Sequence, residues 1–310
     1  MEVILAIDGG ATHTGCLAID RSAQMLAEAE GGPYNHLHES QRLIRARLAG
    51  LIEQTLQLAK RRQEDVGCLS AGLAGVDFDD YGAEPMLALF RELGFECCLI
   101  HGDIVIAHAA ALDAGPGIVV LAGTGSCILG IDRSGRRAKG GGWGGIYGNE
   151  ASAQWISKRA LRAAARAYDG RGPSTMLLGA LIHSLGLSDF RDSISLIYGP
   201  QPRDIASSCE VVYRWVVSGD LVARSPFDDA AAELVEGVIA AACRLGLDNS
   251  PIAVSYQGGV AEHCPLLITE MRERLSKALP QTRVQAPLWK PVMGAHLLAC
   301  NAVGWKAAMQ

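Results

Sequence analysis

The feature that most constrains this chain is a short piece of grammar that occurs twice: an apolar run, a turn of glycines and hydroxyls, then a second apolar run. Near the N-terminus it reads EVILAID, GGATH, TGCLAID, and in mid-chain GIVVLAGTGSCILGID. Short apolar runs bounded by such turns are strands. A glycine turn beside threonine or serine can offer backbone N–H groups to a phosphate. Two strand-rich units with the same opening predict a duplicated α/β fold closing on a cleft.

A third run, QMLAEAE, extends the first unit. A helix over about 40–62 follows, then a strand in VGCLSAGLAGVD, a helix over 84–93, a strand in ECCLI and a helix opening at Asp103, giving the order βββαβαβα. Gly115-Pro116-Gly117 reads as a linker. Beyond it come the second pair of strands, the turn RSGRR, a glycine and tryptophan loop, and helices over 149–247. The strand PIAVSY, the turn Gln257-Gly258-Gly259, a helix over 266–279, a short strand near Val284 and a last helix over 294–308 complete the chain. The expected domains are 1–114 and 115–293, with the C-terminal helix 294–310 able to pack back on the first.

Composition narrows the function. The chain has 310 residues, of which 49% are hydrophobic and 20% charged, with a net charge of −5. That suits two well-packed domains and lacks the basic balance of a nucleic-acid binder, so a small-molecule partner is expected. Nine cysteines without a C-x-x-C pair fit a reducing compartment. No basic leader precedes the first apolar run, and no apolar segment approaches the roughly 20 residues of a membrane span. The expected location is cytoplasmic. Apolar residues around much of the helices 152–168 and 229–247 predict burial or a homodimer contact.

The most telling loop is KGGGWGGIYGNEAS, where Gly140, Gly141, Gly142, Gly144, Gly145 and Gly148 surround Trp143 and lead to Asn149 and Glu150, which are expected to open a helix. Glycine allows positive φ and close approach, and an aromatic face beside carboxamide and carboxylate groups suits a polyhydroxylated ligand. A glycine-rich corner at a hinge would read similarly.

The other candidates carry the same double reading. Asp8, Gly9, Gly10 and Thr12 could curl around a phosphate, although Asp-Gly is also ordinary turn chemistry. Thr124 and Gly125, in the turn Gly123–Ser126, repeat that logic. Asp103 stands at a helix cap and at a cleft position. Asn35 after Pro33-Tyr34 reads as a turn residue, and Gly258 and Gly259 as a strand-to-helix turn.

Taken together, IDGGATHT, GGPYNH, AGLAGVD, HGD, LAGTGS, GGWGGIYGNEASAQWI, AYDGRGP, QGGVAEHCPLL and PVMGAHLLA resemble, in order and spacing over nearly the whole chain, the BadF/BadG-type ATPases of the actin, hexokinase and Hsp70 superfamily. Within that family the likeness is to the branch of N-acetylglucosamine kinase and bacterial glucosamine kinases. The resemblance implies two ribonuclease-H-like (actin-like ATPase) domains, each a mixed five-stranded sheet with helices, closing on a central cleft. It implies an ATP-dependent kinase acting on a primary hydroxyl, at C6, of N-acetylglucosamine or a related aminosugar. Asp103 then serves as general base, and Asn35, Asp103, Ser126, Gly142, Trp143, Gly144, Asn149 and Glu150 meet the sugar. Asp8, Gly9, Gly10, Thr12, Thr124, Gly125, Gly258 and Gly259 meet ATP, with Asp8 holding Mg²⁺ directly or through water.

One departure stands out: the kinases have Gly-Asp-Glu-Gly-Ser where this chain has Gly148-Asn149-Glu150-Ala151-Ser152. Two other readings are an ATP-hydrolysing activase of an acyl-CoA dehydratase or reductase, for which Cys127 is a lone cysteine candidate, and a sugar-binding protein without turnover.

Overall fold

The computed structural model describes residues 2–10, 12–34, 40–198 and 205–305. Its contacts divide the chain into two compact units. The first comprises Met1–Val119, Leu129–Arg137 and Gln285–Gln310, and the second Val120–Ile128 and Ala138–Val284.

In the first unit, β1 (Val3–Gly9), β2 (Thr14–Asp20), β3 (Met25–Gly31), β4 (Val66–Leu73) and β5 (Cys98–Gly102) form one sheet in the order β3-β2-β1-β4-β5. The pairs β1/β2 and β2/β3 are antiparallel, while β1/β4 and β4/β5 are parallel. Strand β1 is apolar without alternation because both its faces are covered. Leu5 and Ile7 join a cluster with Ile44, Leu48 and Leu51 of α1 (Gln41–Ala59) and Phe90 of α2 (Glu84–Glu92). Ala6 turns the other way, toward Ile106 of α3 (Asp103–Leu112) and Val292 and Ala295 of a C-terminal helix.

The second sheet contains β6 (Gly117–Ala122), β7 (Ser126–Ile131), β8 (Arg137–Gly141), β9 (Ile252–Gln257) and β10 (Thr282–Val284), in the order β10-β9-β6-β7-β8. Strand β8 was not expected, since Arg137–Gly141 reads as turn and glycine loop; pairing beside β7 makes it a strand. Its helices are α4 (Ala153–Tyr168), α5 (Leu177–Leu185), α6 (Ser193–Tyr198), α7 (Ser208–Val217), α8 (Leu221–Leu245), α9 (Gly259–His263) and α10 (Pro265–Ala278). Helix α8 starts before Pro226 because Asp220 caps it, accepting from Val222 N at 2.9 Å and Ala223 N at 3.1 Å.

The C-terminal helix, α11, runs Pro291–Val303. It stops short of the expected end because Gly304 takes a left-handed φ of 69°, a common helix terminus. None of the described helices is long and apolar enough to cross a membrane.

Helix α11 crosses α3 at Gly294, where a Cβ would lie 2.8 Å from Ala110 N and closer still to Ile106 O. Both neighbours are backbone and have nowhere to go. Gly294→Ala should therefore lower stability by about 2 kcal/mol or more, the scale of overpacking, read as a drop in the urea midpoint. Gly179→Ala, in α5 with open space around it, should raise stability by about 0.5–1 kcal/mol. Equal effects at the two positions would refute the backbone contact as the reason for Gly294.

Candidate active site

In the first unit the carboxyl ends of the parallel strands β1, β4 and β5 lie side by side, the usual place for ligands in such sheets. Asp8 and Gly9 end β1. A Cβ on Gly9 would stand 2.7 Å from Leu73 Cδ2 and 3.3 Å from Tyr34 Cβ, so glycine lets these side chains pack closely against the end of β1. The turn beyond is held by Gly10 N donating to His13 O (3.0 Å) and Tyr34 N donating to Gly10 O (2.9 Å). Neither Gly9 nor Gly10 has positive φ; they serve by lacking a side chain. Thr12 is exposed, its hydroxyl 3.2 Å from His13 Nδ1. Asn35, with His36 and His38, lies outside the described residues.

Asp103 is the first residue of α3, and Gly102, not Asp103, occupies the cap position. One Asp103 oxygen accepts from Ile104 N at 2.8 Å. Burial, and then the negative charge of Asp103, push the Asp8 carboxyl up to about 7. The sequence motifs named both aspartates, but only the parallel pairing of β1, β4 and β5 explains why they repel each other.

In the second unit the turn between β6 and β7 closes through Gly123 N donating to Gly125 O at 2.9 Å, leaving Thr124 exposed. Gly258, at φ 99°, packs against it: a Cβ there would lie 2.6 Å from Ala122 O. Gly259 begins α9. The segment 149–152 straps onto the same turn. The Ser126 hydroxyl donates to Glu150 O (2.5 Å), Ala153 N donates to Gly123 O (2.8 Å), and the Asn149 amide nitrogen sits 3.2 Å from where a Gly125 Cβ would be.

Asn149 and Glu150 do not open the helix. Asn149 and Ala151 both have left-handed φ, 56° and 68°. Helix α4 begins at Ala153, capped by the Ser152 hydroxyl accepting from Trp155 N at 3.2 Å. Such strained backbone flanking one residue fixes the direction of Glu150.

A cavity of about 380 Å³ gathers Ser126, Gly141, Trp143, Glu150, Glu233 and Glu236 among its lining. Trp143 is 63% exposed, and Lys139 Nζ lies 5.3 Å from its ring centre. Gly142 and Gly144, at φ 74° and 82°, flank Trp143 and let the loop turn. Glu233 and Glu236 lie three residues apart on α8 and escaped the sequence reading, because on an alanine-rich helix they look like solvated surface. Burial, and then the charges of Glu150 and Glu236, raise the Glu233 pKa. Cys127 also lines the cavity, and among the described residues no three His, Cys, Asp or Glu side chains gather to hold a metal ion.

The Asp8 shift has a measurable sign. Its ordinary pKa is 3.8, so between about pH 4 and pH 7 the folded chain keeps a proton that the unfolded chain has released. Stability should fall as pH rises through that window. Asp8→Asn should be more stable than the parent at pH 8, by at most about 4 kcal/mol at about 1.4 kcal/mol per pKa unit, and no more stable near pH 4. Thermal melts without added metal at both pH values test this, and parallel pH dependences would overturn it.

Comparison with known proteins gives the family and the fold. The model of the BadF/BadG/BcrA/BcrD ATPase family matches residues 5–299. An N-acetylmuramic acid/N-acetylglucosamine kinase of Clostridium acetobutylicum is 31% identical, covering 96% of this chain and 98% of its own. An N-acetyl-D-glucosamine kinase of Dictyostelium discoideum is 28% identical, covering 97% and 98%. Among solved structures, a ROK family glucokinase from Streptomyces griseus shares the fold at a TM-score of 0.63 and 16% identity, covering 95% or more of each chain (96% and 98%). The chain belongs to the BadF/BadG/BcrA/BcrD ATPase family.

Proposed function

We propose that this protein is an ATP-dependent kinase of N-acetylglucosamine or a related aminosugar, transferring the γ-phosphoryl group to a primary hydroxyl at C6. The observation that carries the reading is the cavity of the second unit, where Ser126, Trp143 and Glu150 line one space. Its relatives from Clostridium acetobutylicum and Dictyostelium discoideum, named as kinases of such sugars, support the same chemistry.

In this reading the Trp143 face covers the apolar side of a pyranose ring while the Ser126 hydroxyl and the Glu150 carboxylate take its hydroxyls. Asp103 accepts the proton of the attacking hydroxyl. The turn at Gly9–Gly10, bare of side chains, and the turn at Thr124–Gly125 let phosphate oxygens approach the backbone, and Gly258 and Gly259 leave room for the nucleoside. Asp8 suits Mg²⁺: a carboxyl whose pKa is raised by burial and a neighbouring charge is stabilised in its ionised form by a dication. When bound, Mg²⁺ neutralises charge on the phosphate oxygens. Asn149, whose amide lies against Gly125 and which does not line the cavity, bears on the preference among aminosugars through the placement of its neighbour Glu150.

The test is coupled ADP release with Mg-ATP across N-acetylglucosamine, glucosamine, N-acetylmuramic acid, N-acetylmannosamine and glucose, with the phosphorylated carbon located by NMR. Saturable release with at least one aminosugar and a 6-phosphate product are expected. Asp103→Asn should keep ATP binding and lower turnover by on the order of 10²-fold or more, the scale of losing a general base. Absence of sugar-stimulated release with every sugar would sink the reading.

A further inference from the structure

The sequence His101-Gly102-Asp103 ends β5 and begins α3, and each of its residues is engaged differently. Gly102 is overlain by the backbone that follows β4: a Cβ there would lie 2.6 Å from Val76 O and 3.1 Å from Asp77 O. That overlying segment is tightly folded. Ala74 N donates to Gly9 O (2.8 Å), Asp77 N to Tyr81 O (2.9 Å), Asp80 N to Asp77 O (3.1 Å) and Ala83 N to Asp80 O (3.1 Å). Arg137 donates to Phe78 O.

Asp80 has a left-handed φ of 66°, a conformation that costs a non-glycine residue free energy and that persists where the surroundings impose it. What it achieves is visible: Asp80 Oδ1 reaches His101 Nδ1 at 3.3 Å. The imidazole is only 15% exposed. Burial, joined by Arg137 and opposed by Asp80, lowers its pKa, so near neutrality the neutral ring can donate its Nδ1–H to the carboxylate.

We infer that His101 is a positioning residue for Asp103: through Asp80 it latches the segment Asp77–Gly82 onto the end of β5, and so fixes the backbone from which the Asp103 carboxylate emerges. This rests on the reading of Asp103 as the base of the kinase reaction. The latch pins one side of Gly102 and the helix start pins the other. A displacement of about 1 Å at a reacting group can cost on the order of 10²-fold in rate.

Turnover of folded protein at saturating aminosugar and Mg-ATP provides the test. His101→Ala should lower kcat about tenfold or more with the KM for ATP within about twofold of the parent. His101→Asn, whose amide nitrogen can stand near the place of Nδ1, should recover most of the loss. Asp80→Ala should match His101→Ala, and the double variant should lose no more than either alone, as expected of a coupled pair. Amide hydrogen exchange without ligand should quicken over Asp77–Gly82 in His101→Ala. If His101→Ala does not fold, Asp80→Gly, which removes the acceptor at a half-exposed position and suits its positive φ, carries the same expectations. Unchanged kcat, no rescue by asparagine, or additive losses would each overturn the inference. Normal turnover of Asp103→Asn would instead overturn the reading of the base, and the exchange measurement would still report whether the latch exists.

Discussion

Burial of β1 on both faces is the constraint on which the first unit depends. Leu5 and Ile7 face α1 and α2, and Ala6 faces α3 and α11, so the strand has no solvent side and no freedom of register. Its pairing with β2 and β4 then carries Asp8 and Gly9 to the buried end of the sheet. A carboxylate in such a place is costly. Its raised pKa is the direct result.

Close approach, more than flexibility, explains the glycines that matter. Gly9, Gly102, Gly258 and Gly294 each abut backbone or core atoms that a methyl group would strike. These positions knit together segments far apart in sequence: β1 with Tyr34, β5 with the segment after β4, the exits of β6 and β9, and α11 with α3. At Gly142 and Gly144 the reason is different, since the loop around Trp143 turns through positive φ. The same need arises at Ala151, where this chain has a non-glycine residue at φ 68° and accepts the strain.

The second unit concentrates negative charge beside an aromatic wall. Glu150 comes from the strap over the β6–β7 turn, and Glu233 and Glu236 come from α8, more than eighty residues later. Their mutual repulsion, with burial, favours the protonated form of Glu233. Asn149 adds no charge to this group and lies with its amide against Gly125, at the junction of turn and strap.

The order of the elements is legible in the sequence, because apolar runs, glycine turns and caps are local signals: the three opening strands, α1 to α3 and the paired turns are all readable from it. Its motifs also single out Asp8 and Asp103, which end β1 and begin α3, and Ser126, Trp143 and Glu150, which line one cavity. It misplaced what depends on neighbours. Strand β8 exists because β7 offers it a partner, and α4 starts at Ala153 because 149–152 is tied to the turn at Gly123–Ser126. Glu233 and Glu236, and the pairing of Asp80 with His101, belong to no local pattern at all. Only tertiary structure decides such contacts, since they join residues that chain periodicity does not relate and depend on which helix face and which loop the packed core turns toward them.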